Sequence, residues 1–250
     1  MAHNLVVKLR IIIFPLIFHM MTASAFSQKN PAVDTLNTSA GVVDLHFIGH
    51  GSLVFNLNNY YIYIDPVRSF GNYSDMPKAD LILVTHEHSD HLDPDLINDL
   101  RKSSTVLICN KNAADKIPWG RIMNNGDEEV VNNIIIDAVP AYNIIHMRAP
   151  GQPFHPKGVG NGYVLTIGNK KIYVAGDTEN IPEMKALKDI DVAFLPMNLP
   201  YTMTPEMVAD AALSFKPKIL YPYHYGDTDT GKIVDLLKNT GIIVRIRDLK

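Results

Sequence analysis

Between Val42 and Val67 apolar and polar residues alternate at a period of two, in stretches 42–48, 53–57 and 60–64. That period predicts three strands with one face inward, and Asn58-Asn59 predicts a tight hairpin turn between the last two. Leu81-Ile82-Leu83-Val84 is different: four aliphatic residues in succession predict a short strand buried on both faces. Asp93-Pro94, a cap followed by a first-turn proline, opens a helix expected to run to about Arg101. A strand at 105–109, a helix at 111–116 and strands at 129–131 and 134–139 follow. Farther on, 162–167 and 171–175 read as a hairpin about Gly168-Asn169, and a helical stretch is expected from Thr178 to about Leu187. The rest reads as a strand at 191–195, a helix from Thr204-Pro205-Glu206 to Phe215, a strand at 219–223, a helix at 232–239 and a strand at 242–246. This rhythm predicts an α/β chain. Residues 142–161, rich in proline and glycine, have no period and read as a long functional loop. With a second loop at 66–77, they are expected to set specificity.

The N-terminus departs from the pattern. Lys8 and Arg10 precede an apolar run at 11–21, and Ala23-Ser24-Ala25 supplies a small-x-small site, the layout of a secretory signal peptide over 1–25. Export to the periplasm or the medium is the expectation, with no stable membrane insertion after cleavage. Residues 26–40, rich in Ser, Thr and Asn, read as a disordered lead-in, and 41–250 as one domain. The lone Cys109, in an apolar stretch, cannot form an internal disulfide and reads as a small buried residue.

Composition is ordinary for a globular chain: 250 residues, 46% hydrophobic and 20% charged. The formal charge of −3 falls to −5 if Lys8 and Arg10 leave with the leader, which gives no footprint for nucleic acid. Nucleic acid is therefore not an expected partner. Oligomeric state is not written in the sequence.

Chemistry concentrates where strands end. Directly after the 81–84 strand come His86, His88, Asp90 and His91. Side chains two apart in extended chain point the same way, so His86 and His88 can grip one ion, and Asp90 and His91 fall beyond the strand end. Imidazole and carboxylate at this spacing suit zinc, with manganese or iron as neighbours that accept the same donors. Two other predicted strands also end in ligand-capable residues, at Asp177 and His224. An ordinary helix cap is the alternative reading of Asp177. His50, in the turn Gly49-His50-Gly51-Ser52, reads either as a turn histidine bonding backbone or as a catalytic contact near the metals, whereas His46, between Leu45 and Phe47, reads as structural. Glu87 should point away from its neighbours His86 and His88 by alternation.

Thr85-His86-Glu87-His88-Ser89-Asp90-His91 resembles the HxHxDH signature of the metallo-β-lactamase superfamily. Ile48-Gly49-His50, Ile64-Asp65-Pro66, Ala175-Gly176-Asp177-Thr178 and Met203-Thr204-Pro205-Glu206 are similar to its "metal-dependent hydrolase" branch, which also holds ascorbate-phosphate lactonases and N-acyl-phosphatidylethanolamine phospholipase D. The resemblance implies a four-layer αββα sandwich. It also implies a first metal on His86, His88 and a third histidine, a second on Asp90, His91 and His224, and Asp177 bridging the two. In many relatives the third histidine follows the strand that ends here at Val139-Pro140-Ala141, but this chain continues Tyr142-Asn143. His155 is the preferred substitute, with His146 and Asn143 in reserve. It is nearer Asp177 if the hairpin folds about Gly168-Asn169, and Pro156 and Gly158 stiffen and bend its turn. The implied function is an exported hydrolase that uses a zinc-bound hydroxide on a small ester, lactone, amide or phosphodiester, in keeping with the absence of a Gly-x-Ser-x-Gly elbow. A lipid phosphodiesterase and a non-catalytic periplasmic metal-binding protein are the alternatives.

Overall fold

The computed structural model of the chain describes Met1 and residues 33–250. Apart from Met1, the expected leader at 1–25 and the lead-in up to residue 32 lie outside the described residues. Among the described residues no helix is long and apolar enough to cross a membrane.

The first half of the domain is one seven-stranded sheet with two helices. In chain order these are β1 Val33–Thr38, β2 Gly41–Gly49, β3 Ser52–Leu57, β4 Tyr60–Ile64, β5 Leu81–Val84, α1 Pro94–Leu100, β6 Val106–Cys109, α2 Lys111–Lys116 and β7 Arg121–Ile122. The strands lie side by side in sequence order, β1 through β7. β1 to β4 pair antiparallel and β4 to β7 parallel. The second half comprises β8 Glu128–Val131, β9 Ile134–Ala141, β10 Met147–Ala149, β11 Gln152–Pro153, β12 Gly160–Ile167, β13 Lys170–Val174, α3 Pro182–Lys185, β14 Val192–Pro196, α4 Pro205–Phe215, β15 Ile219–Tyr223, α5 Gly231–Leu236 and β16 Ile243–Val244. Its main sheet runs β8-β9-β12-β13-β14-β15-β16, and β10 and β11 form a separate hairpin.

The pattern at 81–84 explains the layers. Leu81 and Leu83 join Phe47, Phe55, Leu165, Phe194 and Tyr221 in the core between the sheets. Ile82 and Val84 point the other way, onto Leu96, Ile97 and Leu100 of α1 and Ala113 of α2. Phe47 and Phe55 of the first sheet meet Phe194 of the second at ring-centroid distances of 6.3 and 5.8 Å. On the far side, Val208, Ala211 and Phe215 of α4 join the same core through the back of the second sheet, and Phe215 lies edge-on to Tyr173 at 6.1 Å. Helices outside and two sheets inside make the αββα sandwich. Truncating Leu83 to alanine in such packing costs ~2–5 kcal/mol.

Three expectations need correction. Residues 33–38 are not a disordered lead-in but edge strand β1, paired with β2 from Val33↔His46 to Thr38↔Gly41. Its composition is polar because one face is exposed. What holds it is Asp34, which accepts from Arg245 at 3.0 Å and Arg247 at 2.6 Å at the far end of the chain. The 142–161 stretch is not patternless throughout: β10 and β11 form a small hairpin within it, and β12 begins at Gly160. The helix after Thr178 shrinks to α3, because Asn180 and Ile181 stay outside it and Pro182 takes its first turn. Asp177 therefore caps no helix; the N-cap of α3 is Ile181.

Candidate metal centre

The parallel halves of both sheets end on one edge, and the chemistry collects there, as is usual at the carboxyl ends of parallel strands. Asp65 follows β4, His86 follows β5, Asp177 follows β13 and His224 follows β15. Cross-sheet bonds hold the two edges together. The Asn161 N–H donates to the Thr85 carbonyl at 2.9 Å, the Tyr163 hydroxyl to the Val84 carbonyl at 2.9 Å, and the His224 N–H to the His50 carbonyl at 3.2 Å. Close approach is bought with glycine: a Cβ on Gly176, at φ +66°, would lie 2.7 Å from the Asn161 carbonyl oxygen, and one on Gly51 would lie 2.8 Å from the His91 ring.

Two clusters face one carboxylate. His86, His88 and His155 bring ligand atoms within 4.8 Å of one another, and so do His50, Asp90, His91 and His224. Asp177 stands between them. Its Oδ2 lies 3.3 Å from His155 Nε2, 3.5 Å from His224 Nε2 and 3.8 Å from His86 Nε2, and its Oδ1 lies 3.4 Å from His91 Nε2. Asp90 Oδ2 lies 3.5 Å from His224 Nε2 and 3.3 Å from His50 Nε2.

Most of the rings are oriented by a second residue. The buried Asp65, its backbone at φ +44°, accepts from the Thr85 N–H at 2.7 Å, the Thr85 hydroxyl at 2.6 Å and His91 Nδ1–H at 2.8 Å. Because Asp65 takes the Thr85 proton, His86 Nδ1–H donates in turn to Thr85 Oγ1 at 3.0 Å. Both Nε2 atoms are thereby left for the centre. His155 Nδ1–H donates to Asn143 Oδ1 at 2.7 Å. The Asn143 amide cannot flip, since its Nδ2 donates to Glu179 Oε1 at 3.2 Å and to the Tyr201 carbonyl at 2.8 Å. His50, in left-handed backbone at φ +53°, lies flat on Phe70 of the 66–77 loop at 4.4 Å.

The third-histidine alternatives separate cleanly. His155 stands with His86 and His88, whereas His146 Nδ1 is bonded to Glu179 at 2.7 Å and enters neither cluster. Asn143 faces His155 as an acceptor. Glu87 points away as alternation required, accepting from Asn110 and Asn112. Sequence reasoning did not assign roles to Asp65 or Glu179. A carboxylate directly after a parallel strand was the signal available for Asp65.

Electrostatics follow from this crowding. Burial disfavours the charged form of His91, yet the Asp177 and Asp65 carboxylates outweigh it and hold its pKa well above the usual range. For His86, burial and then the neighbouring His91 drive the pKa well down. Burial would raise Asp177, but His224 and His91 win and hold it far below a normal carboxylate. Asp90 is also depressed, against burial, by the adjoining His224 and His50 rings.

The donor set fits a metal. His91 Nε2, Asp177 Oδ1 and both His224 ring nitrogens are buried with no hydrogen-bond partner among the described residues. Each such atom costs ~1–3 kcal/mol unless something satisfies it. His91 Nε2 lies 3.4 Å from Asp177 Oδ1, and His224 Nε2 3.5 Å from Asp177 Oδ2, spacings that ligands around shared cations would keep.

Residues 44–224 match the beta-lactamase superfamily domain. A UPF0173 metal-dependent hydrolase of Thermococcus onnurineus is 31% identical over 201 residues, 74% of this chain and 85% of the relative. One from Anoxybacillus flavithermus is 28% identical over 218 residues, 81% and 96% of the two chains. Among solved structures, a Parabacteroides distasonis protein described as a candidate metal-dependent hydrolase is 50% identical, with a TM-score of 0.84 over 88% of this chain and 100% of that one. Igni18, a metallo hydrolase of Ignicoccus hospitalis, shares the fold at a TM-score of 0.69 and 23% identity, over 83% of this chain and 95% of its own.

Proposed function

The chain belongs to the beta-lactamase superfamily, in its group of metal-dependent hydrolases, and on that premise we propose a two-zinc hydrolase of small esters, lactones, amides or phosphodiesters. The observation that carries this reading is the set of orphaned donor atoms on Asp177, His91 and His224, more than one tetrahedral ion needs once His86, His88, His155 and Asp90 are added. His86, His88 and His155 would hold one ion, Asp90, His91 and His224 the other, and Asp177 both. When bound, such ions supply an activated water near neutral pH and a Lewis acid for the scissile C=O or P=O bond. The protein's own part is to hold protons in place. Asp65 keeps the proton of His91 on Nδ1, Thr85 that of His86 and Asn143 that of His155, so that each ring offers Nε2. His50 Nε2, against Asp90 Oδ2, steadies that carboxylate and is our candidate for handing a proton to a leaving group.

The test is a hydrolysis screen of zinc-loaded protein on bis-p-nitrophenyl phosphate, lactones, aryl esters and nitrocefin. Turnover that disappears with chelator and returns with zinc is expected. Tight zinc with no turnover of any of them would leave a metal-binding protein instead. Export is a second part of the proposal, supported by the basic, apolar, small-residue order of residues 8–25. N-terminal sequencing of secreted or periplasmic protein should begin near Phe26; intact Met1 in the cytoplasm would overturn it.

A further inference from the structure

We infer that the substrate carries an anionic group besides the bond that is cut, and that Arg148 receives it while Phe154 and Tyr201 cover its apolar part. The inference rests on the hydrolase reading above and adds to it a substrate class. A cleft of about 510 Å³ opens on the centre, with His88, Asp90, His155, Asp177 and His224 at its base and Ser89, Arg148, Phe154, Asn198 and Tyr201 around it.

Arg148 is the cation of this wall. The other described arginines are engaged elsewhere. Arg68 pairs with Asp99 at 2.8 Å, Arg121 with Glu129 at 3.5 Å, and Arg245 and Arg247 with Asp34, while Arg101 lies over Trp119 at 4.3 Å. Arg148 has no carboxylate partner among the described residues; its guanidinium lies 5.7 Å from the Phe154 ring centre. Beside that aromatic floor its guanidinium N–H groups have no acceptor among the described residues. The carboxylates that line the cleft, Asp90 and Asp177, are turned to the histidines of the centre and do not compete for it.

The apolar part of the wall is built as firmly. Phe154 and Tyr201 meet edge to face at 5.1 Å, and Phe154 directly precedes the candidate ligand His155, which ties this surface to the centre. Beside them the Asn198 backbone is pinned, its N–H donating to Thr202 Oγ1 at 2.9 Å and its carbonyl accepting from the N–H of Tyr201 and of Thr202. The Asn198 side-chain amide has no partner among the described residues and faces the cleft. One guanidinium fork, one free amide and two rings describe a site for an anion joined to an apolar body, beside the position where the bond is cut.

Three matched esters test this on zinc-loaded protein: p-nitrophenyl valerate, mono-p-nitrophenyl glutarate and p-nitrophenyl 4-phosphonobutyrate. The anionic esters should exceed the neutral one in kcat/KM by about tenfold, the worth of one charge-assisted bond. That preference should collapse in Arg148→Gln and be partly kept in Arg148→Lys. A carboxylate or a phosphonate preference tells the two anions apart, and either supports the inference. Equal or better turnover of the valerate, or a preference that survives Arg148→Gln, overturns it. Should no ester be cleaved, the hydrolase reading fails for esters and binding decides the substrate class. Calorimetry with phenylphosphonate and benzoate should give affinities that fall about tenfold in Arg148→Gln with zinc content unchanged; equal affinities for both proteins overturn the inference.

Discussion

The two halves of the sandwich follow one strand plan and spend it differently. In each, four strands pair antiparallel in succession, a tight turn joins the third to the fourth, and three more strands add parallel to the fourth. The turns are Asn58-Asn59, both at positive φ, and Gly168-Asn169. In each, a carboxylate follows the fourth strand, Asp65 after β4 and Asp177 after β13. Asp65 is fully enclosed, its oxygens taken by Thr85 and His91. Asp177 keeps Oδ1 without a hydrogen-bond partner among the described residues and has four histidines within 3.8 Å. One fold position thus carries an orienting group in the first half and the proposed shared ligand in the second. The difference lies in what the next strand end offers: after β5 a threonine and three histidines, after β14 Asn198 and a loop that forms the cleft wall. The plan supplies positions; local residues decide the chemistry.

Breaking the second-half carboxylate should do most damage. Asp177→Asn is expected to lower hydrolysis by more than the ~100-fold typical of outer-shell changes and to reduce bound metal with it. Metal analysis and kcat/KM on the same preparation check this, and an unchanged metal content would separate Asp177 from the centre. The matched change in the first half, Asp65→Asn, should be milder: about 10–100-fold in affinity for the ion held by Asp90, His91 and His224. Competitive zinc titration should show a larger loss at that ion than at the one held by His86, which Asp65 reaches only through Thr85. Equal losses at both would mean that the two carboxylates act alike.

Asn143→Leu sharpens the comparison from the other side, because His155 depends on a neutral amide where His91 depends on a carboxylate. The expected loss is about tenfold, at the ion held by His86, His88 and His155. Glu179→Gln, which touches no ligand, should weaken the same ion by turning the Asn143 amide. A change that lowers the melting temperature alone, with the ratio of the two zinc affinities intact, would reduce both residues to packing.

The smallest effect on the centre should come from Asp34. Burial would raise its pKa, but Arg247, Tyr221 and Arg245 hold it below the usual carboxylate value. Stability from a depressed carboxylate is present above the unfolded pKa, about 3.9, and is lost as pH falls through the folded one. Asp34→Ala should therefore cost ~2 kcal/mol at neutral pH and flatten the acid limb of the stability curve below about pH 4. Zinc affinity should stay as in wild type. Denaturant titrations across that range would show an unaltered acid limb if β1 were held by its strand pairing alone.

Where residues act through nearest neighbours, the sequence was readable. Aliphatic runs and their polar endings located β5, β13 and β15 with His86, Asp177 and His224 at their tips, because period and strand ends are local. Arguing back from the Gly168-Asn169 turn brought His155 toward Asp177, since hairpin register is local too. β1 escaped because its support is remote: an open β2 edge and two arginines more than two hundred residues away. Asp65 escaped as an orienting group because its partner His91 lies 26 positions on. Asn143 was legible only as a histidine missing from its usual place, not as the acceptor that aims His155.

In the proposed centre Asp177 joins two metal sites. Native mass spectrometry of wild-type protein and Asp177→Asn, each titrated with zinc, addresses it most directly. Wild type should hold two ions per chain at saturation, filling over a narrow concentration range, and the variant should no longer hold both. A wild type that saturates at one ion, or a variant that binds two as tightly as wild type, would contradict it.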